Sequence, residues 1–259
     1  MHLAQLWRHP VKSFQGEPLD TSFVEDDGLQ FDRAFGVIDQ STGKILTARR
    51  VPALLFGRAH VSDAGELTVS VPRPGVETEA PREFTGTSPE LDAALSSWLG
   101  REVALVPAED YPVVSAENFD DALDESGPVH DWQLPEGRFV DSAPLLLITT
   151  ATLESGAGIY PEGRWDVRRF RPNLVVDADG TSWLEDGWRG LVLRVGEVEL
   201  SVRKPCTRCT MVTRAQPGIP ADSTIFRSLA HEHGATFGVL CDVRTPGTLH
   251  VGDELELLA

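Results

Sequence analysis

The residues with the greatest chemical reach lie together in Lys204-Pro205-Cys206-Thr207-Arg208-Cys209, which holds two of the three cysteines with an arginine between them. The thiolate is the form that binds metals or attacks electrophiles, and fixed positive charge from Arg203, Lys204 and Arg208 favours it over the thiol. By spacing alone, Cys-x-x-Cys fits half of a zinc site, a redox pair or two buried thiols. Zinc needs four ligands, and only Cys241 and the scattered His231, His233 and His250 are at hand to complete a set. A thioredoxin-like pair opens a helix, whereas Thr210-Met211-Val212-Thr213 reads as another strand.

A second set of residues could do anion chemistry. The chain carries a net charge of −17, yet many of its positive residues collect at a few turn-like places: Lys12, Arg33, Arg49-Arg50, Arg168-Arg169 with Arg171, and Arg203-Lys204 with Arg208. Brought together they would make a local anion site on a negative body. Lys12 and Ser13 sit mid-loop as a lysine-hydroxyl pair suited to phosphate or carboxylate, and Asn173 after Arg171-Pro172 offers both a donor and an acceptor. The same net charge repels polyanions, which excludes general nucleic-acid and anionic-membrane binding. No Gly-rich phosphate loop, dinucleotide fingerprint or Gly-x-Ser-x-Gly elbow is present. An odd cysteine count points to a reducing compartment. The absence of a signal-peptide core and of any run able to span a bilayer makes the expected location cytoplasmic.

The elements that must position these groups are mostly strands. Leu191 to Val195 and Val198 to Val202 alternate around Gly196-Glu197, a hairpin signature that leads into the cysteines. Leu3 to Trp7, Leu19 to Val24, Asp32 to Ile38, Lys44 to Thr47, Leu54 to Val61 and Leu67 to Val71 read as short strands of a β-rich unit over 1–85. Ser88-Pro89 starts a helix that Gly100 stops. Ala108 to Pro135 reads as acidic and irregular, with Glu109 to Asp131 a mobile loop or lid, so 86–135 is expected to be a helix and connector. In 136–259 the apolar strand Leu145 to Ile148, a short helix capped by Thr149 or Thr150, a strand after Asn173, a helix from Asp222 to His233 closed by Gly234, and final strands over Phe237 to Val243 and Leu249 to Leu258 follow. The expected fold class is mainly β with a few helices (α+β), in a two-part β-barrel architecture.

Pro10-Val11-Lys12-Ser13, Asp32-Arg33-Ala34-Phe35, Thr47-Ala48-Arg49, Asp141-Ser142-Ala143-Pro144-Leu145, Phe170-Arg171-Pro172-Asn173, Cys206-Thr207-Arg208-Cys209, Phe237-Gly238 and Pro246-Gly247-Thr248-Leu249-His250-Val251-Gly252-Asp253 occur in this order across almost the whole chain. The set resembles the MOSC-domain family, and within it the molybdenum enzymes similar to the amidoxime-reducing component and its bacterial relatives. The resemblance implies an N-terminal β-barrel-like domain, a MOSC β-barrel domain and a molybdenum pyranopterin cofactor (Mo-molybdopterin). It implies that Cys209 ligates molybdenum and that Lys12, Ser13, Arg33 and Ser142 hold the pterin and its phosphate. Arg171, Asn173, Thr207 and Arg208 would complete that cradle. Ala143 stands where close relatives can place a hydroxyl, and Leu240 where some have a tyrosine.

The activity this implies is reduction of small N-hydroxylated compounds by removal of the oxygen atom, with Asp141 either supplying protons or capping a turn. Because the chain ends at Ala259 with no fused ferredoxin domain, electrons are expected from a separate donor of the ferredoxin, cytochrome or flavin reductase type. Cys206 would be a packed small residue or a thiol beside the metal, and Cys241 a core residue. Two rival readings use the same stretch: a sulfur-carrier protein with a persulfide on Cys209, as in the cofactor sulfurases of this family, and a carrier that binds the cofactor without turnover.

Overall fold

The computed structural model describes residues 1–73, 80–120, 125–180 and 183–258. They form a mainly β structure with three α-helices among the described residues: α1 (Pro89–Leu99), α2 (Thr150–Ile159) and α3 (Ser223–His233). Each helix begins where the sequence offers a cap. Ser88, Thr149 and Asp222 each accept a backbone N–H from the first turn, and Gly100 and Gly234 close α1 and α3 in the left-handed conformation.

Contacts group the chain into two units, each discontinuous in sequence. One unit comprises Met1–Arg8, Pro18–Gln30 and Ala143–Ala259; the other comprises His9–Glu17 and Phe31–Ser142. The reason is strand pairing over long sequence separations. His2–Arg8 runs antiparallel to Leu174–Asp177, and Thr21–Glu25 pairs with Gly247–His250.

The sheet that holds the cysteines runs Leu255–Leu258, Val192–Val195, Val198–Thr207, Thr236–Thr245, Leu145–Thr149, Leu174–Asp177, His2–Arg8 and Glu17–Leu19. Alternation along Val198–Thr207 buries Val198, Leu200 and Val202 on one face, where they meet Leu3, Leu6, Leu147, Leu193, Val239 and Cys241. Leu145–Thr149 is buried throughout, because its other face packs beneath α3 through Ile148, Ile225, Phe226 and Leu229. The hairpin turn carries Gly196 at φ +56°, as its sequence signature requires.

The other unit builds a core from Val11, Phe14, Val37, Leu54, Val69, Leu91 and Leu105. Three local expectations differ here and in the cysteine unit. Leu54 to Val61 begins as a 3-10 turn over Pro52–Phe56 before a strand at Arg58–Val61, since Pro52 fits a first helical position better than a ladder. Thr210–Thr213 is a 3-10 turn, not a strand. The acidic stretch contains an antiparallel pair, Ser115–Phe119 with Val129–Gln133, whose Ala116 bridges Ile45. Its ion pairs are tertiary: Lys44 reaches Asp131 at 2.6 Å and Arg50 reaches Glu117 at 3.2 Å. Residues 121–124 of the expected lid lie outside the described residues.

Candidate functional site

Cys206 and Cys209 are both partly buried at the end of Val198–Thr207, just where that strand departs from regular pairing. Pro205 pairs with Val239 but Thr207 pairs with Thr236, so the partner strand carries one extra residue opposite Cys206. Gly238 absorbs it at φ +76°. A Cβ there would lie 2.5 Å from Ile148 Cγ2 and 2.6 Å from the Leu147 carbonyl, which explains the glycine. Cys209 then caps the 3-10 turn Thr210–Thr213 with extended backbone.

Arg208, between the two cysteines, is only 7% exposed. Its backbone N–H donates to Ala235 O at 2.7 Å, Nη2 donates to Phe170 O at 2.7 Å, and Nη1 donates to Cys206 Sγ at 3.1 Å. The guanidinium carbon lies 5.7 Å from the Phe170 ring centre, a ring itself stacked 3.7 Å from Phe237. Nε is buried and has no hydrogen-bond partner, an unusual state for a charged donor.

The other arginines of the cluster do different work. Arg169 is fully buried and donates to four carbonyls: Arg164 at 2.9 Å, Val212 at 3.1 Å, Arg214 at 3.3 Å and Pro220 at 2.7 Å. It therefore ties down the loop that follows Cys209. Burial pushes its guanidinium pKa down from the usual value. Arg168 forks onto Asp166 at 2.8 and 2.7 Å, which holds the Asp166 carboxyl below its ordinary range. The expected gathering of Arg168 and Arg169 with Arg171 into an anion site is thus corrected: these two side chains serve the backbone and an aspartate.

Arg171 is buried at φ +55°, a conformation few non-glycine residues hold. Asn173 is 1% exposed; its amide donates to Trp7 O at 3.2 Å and accepts from Leu146 N at 3.2 Å, stitching three strands. Thr207 is exposed. Cys241 sits in the core with its thiol pushed up to about 12 by burial. Among the described residues no group of three or more His, Cys, Asp or Glu gathers as a metal site.

The second unit carries its own set. Lys12, 5% exposed, donates from Nζ to Phe139 O at 2.9 Å and to Asp141 Oδ1 at 2.5 Å. Ser13 adopts φ +70° and accepts from Ala48 N at 2.9 Å, which places the Thr47-Ala48-Arg49 motif beside it. Arg33, at φ +49°, pairs with the buried Asp32, whose other oxygen accepts from His9 N at 2.7 Å. Asp141 and Ser142 are exposed. The structure therefore brings Lys12 to Asp141 and Arg208 to Cys206. Sequence reasoning missed Phe170 as the seat of Arg208 and Arg169 as the loop clamp. The one available signal was the position of both beside Arg171-Pro172-Asn173.

Residues 135–256 match the model of the MOSC domain, and residues 1–101 that of the MOSC N-terminal beta barrel domain. The chain belongs to the MOSC-domain family. Human mitochondrial amidoxime-reducing component 1 is 26% identical over 99% of this chain and 82% of its own length. A rice molybdenum cofactor sulfurase is 27% identical over 83% of this chain, which spans only 28% of that protein. Among solved structures, the YuaD protein from Bacillus subtilis is similar at 13% identity and a TM-score of 0.48, covering 99% of this chain and 94% of that one. No helix among the described residues is long and apolar enough to cross a membrane.

Proposed function

We propose that this MOSC protein is a molybdenum-cofactor-dependent oxidoreductase that reduces small N-hydroxylated compounds by removing the oxygen atom. The observation that carries the reading is a partly buried cysteine, Cys209, that directly follows a buried arginine whose Nε has no partner. A cofactor that brings most of its own metal ligands needs one protein thiolate and a binding site for an anionic group, and this donor set fits both needs. Similarity to an amidoxime-reducing component over 99% of this chain and 82% of that protein supports the activity.

When bound, the molybdenum pyranopterin would supply two-electron oxygen-atom chemistry. Cys209 offers the soft sulfur donor suited to that metal. Arg208, next to Cys209 in the chain and fixed by Phe170 and Cys206, offers Nε to an anionic oxygen. Arg171, Asn173 and Thr207 are proposed for the same cofactor, as are Lys12, Ser13, Arg33 and Ser142. Asp141, largely exposed and paired with Lys12, is the proposed proton source. Electrons would come from a separate ferredoxin, cytochrome or flavin reductase.

Elemental analysis of protein made in a host that synthesises the cofactor, beside Cys209→Ala, tests this. Near-stoichiometric molybdenum in the parent and its loss in the variant, followed by amidoxime reduction with a chemical reductant, is the expected result. Similarity to a cofactor sulfurase favours a second reading, sulfur transfer through Cys209. Sulfane sulfur on Cys209, with no molybdenum in either protein, would support it instead. Molybdenum without turnover would leave a carrier.

A further inference from the structure

Cys206 has two sets of neighbours. Its side chain packs against Ala143, Leu146 and Leu240, as a small apolar residue would. Its sulfur also accepts from Arg208 Nη1 at 3.1 Å, close for an acceptor as large as sulfur, while its S–H makes only a distant approach of 3.8 Å to Thr207 O. The sulfur thus meets Arg208 as an acceptor.

That contact fixes a plane. A planar guanidinium held at a single nitrogen can pivot about that bond; held at two different nitrogens, it cannot. Phe170 O fixes Nη2 and Cys206 Sγ fixes Nη1. The orientation of the unpartnered Nε follows from those two anchors. The backbone of Cys206 is fixed in turn, because the extra residue across from it is absorbed by Gly238, where a side chain would clash.

We propose that Cys206 is a positioning residue: its sulfur locks the Arg208 guanidinium so that Nε is held ready for an anionic group. The identity of that group rests on the cofactor reading above; the locking itself does not.

Two variants separate positioning from packing, because they order oppositely. Cys206→Ser keeps an acceptor and loses apolar contact; Cys206→Val keeps apolar contact and leaves Nη1 unpaired. The first readout is the side-chain nitrogen NMR spectrum of Arg208, assigned by comparison with Arg208→Lys, in which a locked guanidinium shows separate Nη resonances. The second is molybdenum per chain. The serine variant is expected to keep the separate resonances and at least about half of the parental molybdenum. The valine variant is expected to lose the separation and to hold about tenfold less molybdenum, the scale set by an unpaired buried donor, while melting no lower than the serine variant. The reverse order, with valine matching the parent in both readouts and serine the poorer, would make Cys206 a packing residue and overturn the proposal. A parent without molybdenum would defeat the cofactor reading alone, and the guanidinium spectrum would still decide the role of Cys206.

Discussion

Phe170 holds Arg208 twice: its carbonyl accepts Nη2 at 2.7 Å and its ring lies 5.7 Å from the guanidinium carbon. One residue thus supplies both an acceptor and an aromatic face. Phe170→Leu keeps the carbonyl but removes the ring and its stack on Phe237. It is expected to destabilise the protein by about 1–3 kcal/mol and to weaken molybdenum retention, measured by urea unfolding and elemental analysis of the same samples.

Arg169→Met should be among the most damaging single changes. It leaves the carbonyls of Val212, Arg214 and Pro220 without this donor, in the loop after Cys209. A loss of about 3 kcal/mol or more is expected, with Arg169→Lys intermediate because an ammonium cannot fork to four sites. Denaturant midpoints check this order.

Gly238→Ala places a methyl group against Ile148 and the Leu147 carbonyl at φ +76°. The expected cost is about 2–4 kcal/mol, and it should exceed that of alanine at Gly158, where a Cβ meets nothing within 4 Å. Thermal unfolding of the two variants side by side measures the difference.

Glu185 gives a pH prediction with a definite sign. It is fully buried, accepts from Thr149 Oγ1 at 2.7 Å and Thr152 Oγ1 at 2.6 Å, and burial raises its carboxyl pKa above the ordinary value despite those bonds. A raised folded value means that its stabilising contribution is complete below the unfolded carboxyl pKa. That contribution is lost as pH rises through the folded pKa. Glu185→Gln, which cannot ionise, should therefore gain stability relative to the parent as pH rises through that window. Urea midpoints across pH read the trend.

Native alkylation should distinguish the three thiols. Cys241 is fully buried with its thiol pushed up to about 12, whereas Cys206 and Cys209 are partly exposed. Iodoacetamide at mildly alkaline pH should label Cys206 and Cys209 and spare Cys241 until the chain is denatured, as peptide mass spectrometry would report.

Helix ends were readable because caps are local: Ser88, Asp222, Gly100 and Gly234 act within one turn of their own position. The hairpin around Ala116 was not readable. Its strand Val129–Gln133 is exposed throughout and shows no apolar alternation, while its order comes from Lys44 and from Arg49 and Arg50, each 4.9 Å from the Phe119 ring. The cysteine segment was conspicuous by composition, but the roles of its basic neighbours depend on tertiary distance. Arg168, Arg169 and Arg171 are nearly adjacent in sequence and serve an aspartate, four carbonyls and a left-handed turn.

The pairing of His2–Arg8 with Leu174–Asp177 has a consequence for how the protein is made. During synthesis the first strand leaves the ribosome long before its partner exists, and Thr21–Glu25 must wait longer still for Gly247–His250. The segments His9–Glu17 and Phe31–Ser142, which group together by their contacts, are translated before Leu174. The cysteine-bearing sheet closes only near the end, so its first strand, which carries the core residues Leu3 and Leu6, stays unpaired for most of translation. Such late, non-local closure slows folding and exposes a strand edge to neighbours. A nascent chain stalled before Leu174 should therefore engage holdase chaperones through its own amino terminus.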